Sequence, residues 1–141
     1  SRLSKIPDGG AIVMAVAALD ILGLTDRIAE TLPVDEFVPA VSQGCVAVEC
    51  RADDHTTGEV LAAIDDRITR HCVEVERAFL AELGSGCSLP VGAHVADGRL
   101  LTFLADLDTG VSVSDEIELP GGPADLDVAR AAARAAREAL M

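Results

Sequence analysis

Aromatic side chains are nearly absent: there are three phenylalanines and no tyrosine or tryptophan among 141 residues. The chain therefore lacks a platform on which bases could stack, and its core must be built from Ala, Val, Leu and Ile. Positive charge is also scarce, with 11 Lys and Arg against 24 Asp and Glu and a formal net charge of -13. That field repels phosphate backbones and anionic headgroups, so neither nucleic acid nor a membrane surface is an expected partner. No apolar run reaches the roughly 18 residues that would span a bilayer. The opening SRLSKIPDGG lacks the features of a secretory signal, so a cytoplasmic location is expected. The four cysteines, Cys45, Cys50, Cys72 and Cys87, form no CxxC pair, so neither zinc nor any other metal is expected, nor a thioredoxin-like redox pair. Cys45, Cys50 and Cys72 read as small buried hydrophobes. His55, His71 and His94 are scattered, and no catalytic triad or phosphate-cradling glycine motif is visible.

Hydrophobic residues make up 50% of the chain, enough to bury a core. Ala11 to Val16 is an almost purely apolar run after Asp8-Gly9-Gly10 and predicts a strand buried on both faces. Ala17 to Leu22 predicts a short helix stopped at Gly23, and Asp26 to Leu32 another stopped before Pro33. Further strand pieces are expected near Phe37-Val38 and over Cys45 to Cys50, with Pro39 to Gly44 as a connector. From Thr57 as N-cap, the spacing of Val60, Leu61, Ile64 and Ile68 is helical. A second helix is expected over Val73 to Leu83, burying some combination of Val75, Phe79, Leu80 and Leu83 and ending at Gly84.

Three strand-like stretches follow, Val91 to Ala96, Leu100 to Leu107 and Val111 to Leu119, with turns at Asp97-Gly98 and Asp108-Thr109-Gly110. Pro123 opens an alanine-rich terminal helix to about Leu140, with Asp125 and Asp127 near its positive end. Arg130, Arg134 and Arg137 recur along it and read as a solvated face that complements the helix C-terminus. This order describes a compact α+β unit from residue 67 onward.

Between the second helix and its following strand lies the one stretch with a chemical signature, ERAFLAELGSGCSLPVG, residues 76 to 92. Gly84 and Gly86 leave no side chain over their neighbours, so the loop can bring the Cys87 thiol close to a large ligand. The segment resembles the cofactor-attachment loop of the porphobilinogen deaminase (hydroxymethylbilane synthase) family. Ala11 to Ala17 with Leu19 and Leu22-Gly23-Leu24, then Phe37 to Arg51, then Asp53-Asp54 resemble successive blocks of that family in the same order. The resemblance covers residues 1 to 92 well and the remainder loosely.

The resemblance implies a transferase of tetrapyrrole and heme biosynthesis that joins four porphobilinogen units onto a dipyrromethane cofactor, releasing ammonia. The cofactor would be held by Cys87 through a thioether. A soft thiolate suits capture of an electron-poor methylene carbon, and a thioether resists hydrolysis and reduction. Cys87 follows a helix C-terminus, whose negative dipole gives it no help in ionising. Arg2, Ala15, Gln43 and Gly44 would line the cleft: Arg2 for substrate carboxylates, Gln43 and Gly44 beside the cofactor at a hinge, Ala15 through its backbone. Arg27, on DRIAETL, reads as a solvated helix charge.

The implied fold is α/β and α+β, with remnants of two periplasmic-binding-protein-like lobes before a small α+β domain that has a three-stranded antiparallel sheet. Residues 1–38 would be the C-terminal half of the second lobe, 39–62 a hinge and a strand returning to the first lobe, and 67–141 the cofactor-carrying domain. The family's chain is much longer, and the half that carries its catalytic aspartate has no counterpart here. The chain is therefore expected to be a C-terminal part, inactive alone, with no catalytic residue of its own. It would need the N-terminal half in cis or in trans, and dipyrromethane is not required to be present in the isolated piece. Ile21 stands where the family has a carboxylate-binding arginine, and Ser42 and Ser85 replace glycines. The competing expectation is a non-catalytic binding or self-associating module derived from the enzyme.

Overall fold

The computed structural model describes residues 2–84 and 90–141. The chain divides into two compact units, Ser1–Pro33 and Val34–Met141.

The first unit holds a 3-10 turn at Leu3–Lys5, helix α1 over Val16–Ile21, and a second 3-10 turn at Thr25–Arg27. Leu19 of α1 is buried. Gly23 (φ 64) closes α1 in the left-handed region open to glycine, its amide donating to Asp20 O at 2.9 Å while Leu24 N donates to Leu19 O at 2.8 Å. The strand expected over Ala11 to Val16 does not form: residues 11–15 are irregular and Val16 already belongs to α1. A strand completes its hydrogen bonds only against a neighbouring strand, and the unit has none among the described residues. The helix expected over Asp26 to Leu32 shrinks to the Thr25–Arg27 turn.

In the second unit, α2 spans His55–Ala62 and α3 spans Arg67–Leu83. Strands β1 (Val91–Ala96), β2 (Arg99–Ala105) and β3 (Ser112–Glu118) follow, and α4 (Ala124–Ala139) ends the chain. The sheet is antiparallel in the order β1-β2-β3. Its first hairpin turns at Asp97 (φ 50) and Gly98 (φ 73), the consecutive positive angles of a two-residue turn that matches strand twist. At the second, Asp106 accepts from Asp108 N at 2.8 Å and from Thr109 Oγ1 at 2.9 Å.

Register fixes the faces. Ala93 opposes Thr102 and Val95 opposes Leu100, while Leu104 opposes Val113 and Leu100 opposes Ile117. Directly opposed residues share a side, and on this side Ala93, Leu100 and Leu104 pack with Val75, Ala78, Phe79 and Leu83 of α3 and Ala129, Ala133 and Ala136 of α4. The alanine stripe lets α4 lie close to α3, which suits a core with one large ring. Phe79 is fully buried, worth about 2–3 kcal/mol by area removed from water.

Two further expectations differ from the structure. The helical spacing from Val60 to Ile68 is broken at residues 63–66, because Asp54 and Asp66 each cap a separate helix. Asp54 accepts from Thr57 N at 3.0 Å and Asp66 from Thr69 N at 2.7 Å, so Thr57 is inside α2, Ile68 belongs to α3, and α3 starts six residues before Val73. Phe37-Val38 and Cys45 to Cys50 are not strands; Val46 is 88% exposed, and neither segment joins a sheet among the described residues.

Candidate functional site

The sequence points to one thiol, and Cys87 lies outside the described residues. Its flanks are clear. Before it, α3 ends at Gly84, whose φ of 62 places it in the left-handed region. The Leu83 carbonyl there accepts from the Arg137 guanidinium of α4, and Arg134 Nη1 donates to Glu82 Oε1 at 2.9 Å. These arginines neutralise the negative end of α3 and fasten α4 to it, so they are more than a solvated face. Arg130 pairs along its own helix with Asp127 at 2.7 Å.

After the thiol, Pro90 leads into β1. Gly92 is buried because the chain at Val38 and Pro39 runs against it: a Cβ on Gly92 would lie 2.8 Å from Val38 O and 3.0 Å from Pro39 O. Ala93 N donates to Pro39 O at 3.0 Å. The connector that carries Gln43 and Gly44 is thus laid along the outer edge of β1.

That connector turns tightly. Gln43 N donates to Ala40 O at 2.9 Å and Cys45 N to Ser42 O at 3.2 Å. Ser42 adopts φ 63 and Gly44 φ 89, so a serine occupies a left-handed position that costs an L residue about 1–2 kcal/mol. Its hydroxyl is buried without a partner among the described residues. Gln43 and Gly44 are exposed, and a Cβ on Gly44 would meet nothing within 4 Å.

A residue that sequence reading missed holds the turn. Glu76 is 5% exposed; its Oε2 accepts from Ser42 N at 2.7 Å and its Oε1 from Val95 N at 3.0 Å, with His94 Nδ1 3.4 Å from the same Oε1. The signal was present: Glu76 is three residues before Phe79 and seven before Leu83, on the buried arc of α3, where a carboxylate must be satisfied. A second missed pair is His71 Nε2 and Asp125 Oδ2 at 2.8 Å, with Asp125 Oδ1 accepting from Gly121 N at 2.7 Å. Cys72 has its thiol pushed up, first by burial and then by the charges of Glu76 and Asp125, the setting of an unreactive cysteine.

Of the other expected site residues, Arg2 is exposed beside the Leu3–Lys5 turn. Ala15 is the N-cap residue of α1, its carbonyl accepting from Ala18 N at 3.1 Å. Both belong to the first unit, Gln43 and Gly44 to the second. Ile21 is 85% exposed, a surface position. Residues 44–50 form an open groove with α2 and the first half of α3, lined by Cys45, Val48, Leu61, Ile64 and Asp66 among others. Among the described residues no three His, Cys, Asp or Glu side chains gather as metal ligands, and no helix is long and apolar enough to cross a membrane.

Comparison with known proteins decides the family. Residues 1–59 match the model of the porphobilinogen deaminase dipyromethane cofactor binding domain, and residues 70–140 match that of the porphobilinogen deaminase C-terminal domain. The chain belongs to the porphobilinogen deaminase family. It is similar to the porphobilinogen deaminase of Mycobacterium leprae, 44% identical over 129 residues, covering 90% of this chain and 39% of the relative. The Nocardia farcinica relative is 42% identical over the same share of this chain and 36% of its own. That of Roseiflexus is 46% identical over 105 residues, 72% of this chain and 35% of the relative. The chain therefore spans about two fifths of the length of these curated porphobilinogen deaminases.

Proposed function

We propose that this chain is the C-terminal part of a porphobilinogen deaminase, the transferase that builds hydroxymethylbilane from four porphobilinogen units on a dipyrromethane primer. The observation that carries the reading is the pair of family-domain matches, in order along one chain. In this reading residues 1–38 and 39–62 complete two lobes shaped like those of periplasmic binding proteins, and residues 67–141 carry the cofactor. The exposed apolar side chains Ile12, Val13, Val46 and Val48 support it, since sheet neighbours from the rest of the enzyme would cover them. A cytoplasmic setting suits the four thiols.

Cys87 would hold the dipyrromethane by a thioether, and the described residues fit such a group. Gly44 opens onto free space, the Gln43 side-chain amide is exposed and has one acceptor and two donors for pyrrole N–H and ring carboxylates, and the Arg2 guanidinium suits carboxylates bidentately. Ala15 offers backbone contacts. When bound, the group supplies the primer to which pyrroles are added. This chain's residues bind and orient it, while proton transfer falls to the catalytic aspartate that family members carry in their N-terminal half.

Intact mass with Ehrlich's reagent tests the reading. The complete enzyme carrying this sequence should show a pyrrole adduct that Cys87→Ser removes, and an unmodified thiol in active enzyme would sink it. The isolated 141 residues should make no hydroxymethylbilane.

A further inference from the structure

We propose that Glu76 is the positioning residue of the Gln43–Gly44 turn, locking the hinge to the domain that carries the cofactor. The inference rests on the reading that Gln43 and Gly44 face the cofactor, and it adds a residue which touches neither cofactor nor substrate.

Ser42 N donates inward to Glu76 and Gln43 is exposed, while Ser42 keeps a left-handed angle (φ 63), a conformation that a serine holds only when its surroundings over-determine it. The Ser42 hydroxyl supplies no such restraint, being without a partner among the described residues. Beside the backbone bonds Gln43 N to Ala40 O and Cys45 N to Ser42 O, the side-chain restraint is Oε2 of Glu76, 2.7 Å from Ser42 N. The second oxygen is spent on Val95 N at 3.0 Å, an outward amide of β1, one pairing step along from Ala93, which donates to Pro39 O. A single carboxylate thus ties the turn to the strand that follows the Cys87 loop. At 5% exposure, water cannot readily take its place. His94, 3.4 Å away, is the ionisable neighbour.

Two amides need two acceptors. In Glu76→Gln the side-chain nitrogen cannot accept, so either Ser42 N or Val95 N loses its partner. Glu76→Asp is one methylene shorter and cannot span both. A turn freed by about 1 Å would misplace Gln43 and Gly44, and misplacement of that size costs up to about a hundredfold in rate.

The test uses the complete enzyme carrying this sequence, with three readouts on wild type, Glu76→Gln and Glu76→Asp: amide exchange at Ser42 and Val95, dipyrromethane loading by intact mass, and steady-state kinetics. The expected result is exchange faster by about tenfold or more at one of the two amides, retained loading, and kcat down about tenfold or more with KM changed less than about twofold. Unchanged kcat in a loaded variant whose Ser42 amide has lost protection would make Glu76 merely structural and overturn the proposal. If Gln does not fold, Asp gives the same decision. Wild type that turns over without any pyrrole adduct would overturn the underlying reading as well, and is told apart by the mass alone.

Discussion

Nε2 of His71 lies 2.8 Å from Oδ2 of Asp125, joining the N-terminal parts of α3 and α4 across 54 residues of sequence. Because Asp125 also accepts the Gly121 amide at 2.7 Å and its side chain is 4% exposed, it has little access to water as a substitute. Asp125→Ala should destabilise the second unit by about 2 kcal/mol, the range for hydrogen bonds to a charged group. Denaturant unfolding of the chain measures it, and a change within about 0.5 kcal/mol would show the pair to be idle.

Ser42→Gly should move stability the other way. Glycine takes φ 63 without steric cost and removes a buried hydroxyl that lacks a partner among the described residues. The amide bond to Glu76 remains, so a gain of about 0.5–1 kcal/mol is expected after the extra backbone entropy of glycine. A loss on thermal or denaturant unfolding would mean that the hydroxyl has a role.

Gly92→Ala tests the close approach of connector and strand. The added carbon would sit 2.8 Å from Val38 O, backbone that cannot swing aside as a side chain would. The expected cost is about 1–3 kcal/mol, with faster amide exchange at Ala93, which donates to Pro39. Unchanged protection there would contradict the contact.

Acid should loosen two helix starts and the second hairpin turn. Backbone amides hold the carboxyls of Asp54, Asp66 and Asp106 below the usual range, those of Thr57, Thr69 and Asp108 respectively, and the Arg70 side chain does the same for Asp65. Each folded value is lower than the unfolded one. The stabilisation is therefore present above the ordinary carboxylate value of about 4 and is lost as pH falls through the lowered values. Asp66→Asn keeps a capping oxygen but cannot titrate, so an acid titration followed by circular dichroism should lose helix less steeply in the variant. An unchanged slope would remove Asp66 from the account.

Thiol reagents should rank the cysteines. Cys50 is exposed, whereas burial and two nearby carboxylates push Cys72 up. Near neutral pH, peptide mapping should find Cys50 alkylated several-fold faster than Cys72, and the reverse order would contradict the described burial.

Much of the second unit was legible in the sequence because its signals are local. Asp97-Gly98 dictates a hairpin, Gly84 a helix end, and Pro123 with Asp125 and Asp127 a helix start, and each element follows within a few residues. The Asp54 and Asp66 caps were misread because the apolar spacing of Val60, Leu61, Ile64 and Ile68 continues in phase across the break between them. Ala11 to Val16 and Cys45 to Cys50 have strand composition, but strand formation depends on neighbours that composition does not name. In the candidate site, Cys87, Gln43 and Gly44 are marked only by the family resemblance of the segments that carry them, and their roles belong to the proposal above. For Glu76 the sequence shows a carboxylate on the buried arc of α3 but not what it holds, and the partners of Glu76, Gly92 and Asp125 are not legible, since they lie between 19 and 54 residues away or are backbone atoms without a sequence signature.

Because Pro39 O and the Glu76 carboxylate already take the Ala93 and Val95 amides of β1, an incoming strand at that border of the sheet would find those two donors engaged. Growth of the ladder is left to the β3 border, where Asp115, Glu116 and Glu118 crowd one short strand of a chain with formal charge -13. Two copies meeting there would bring like charges together. Edge-to-edge growth of this sheet is thus opposed by engaged donors at one margin and by like charge at the other.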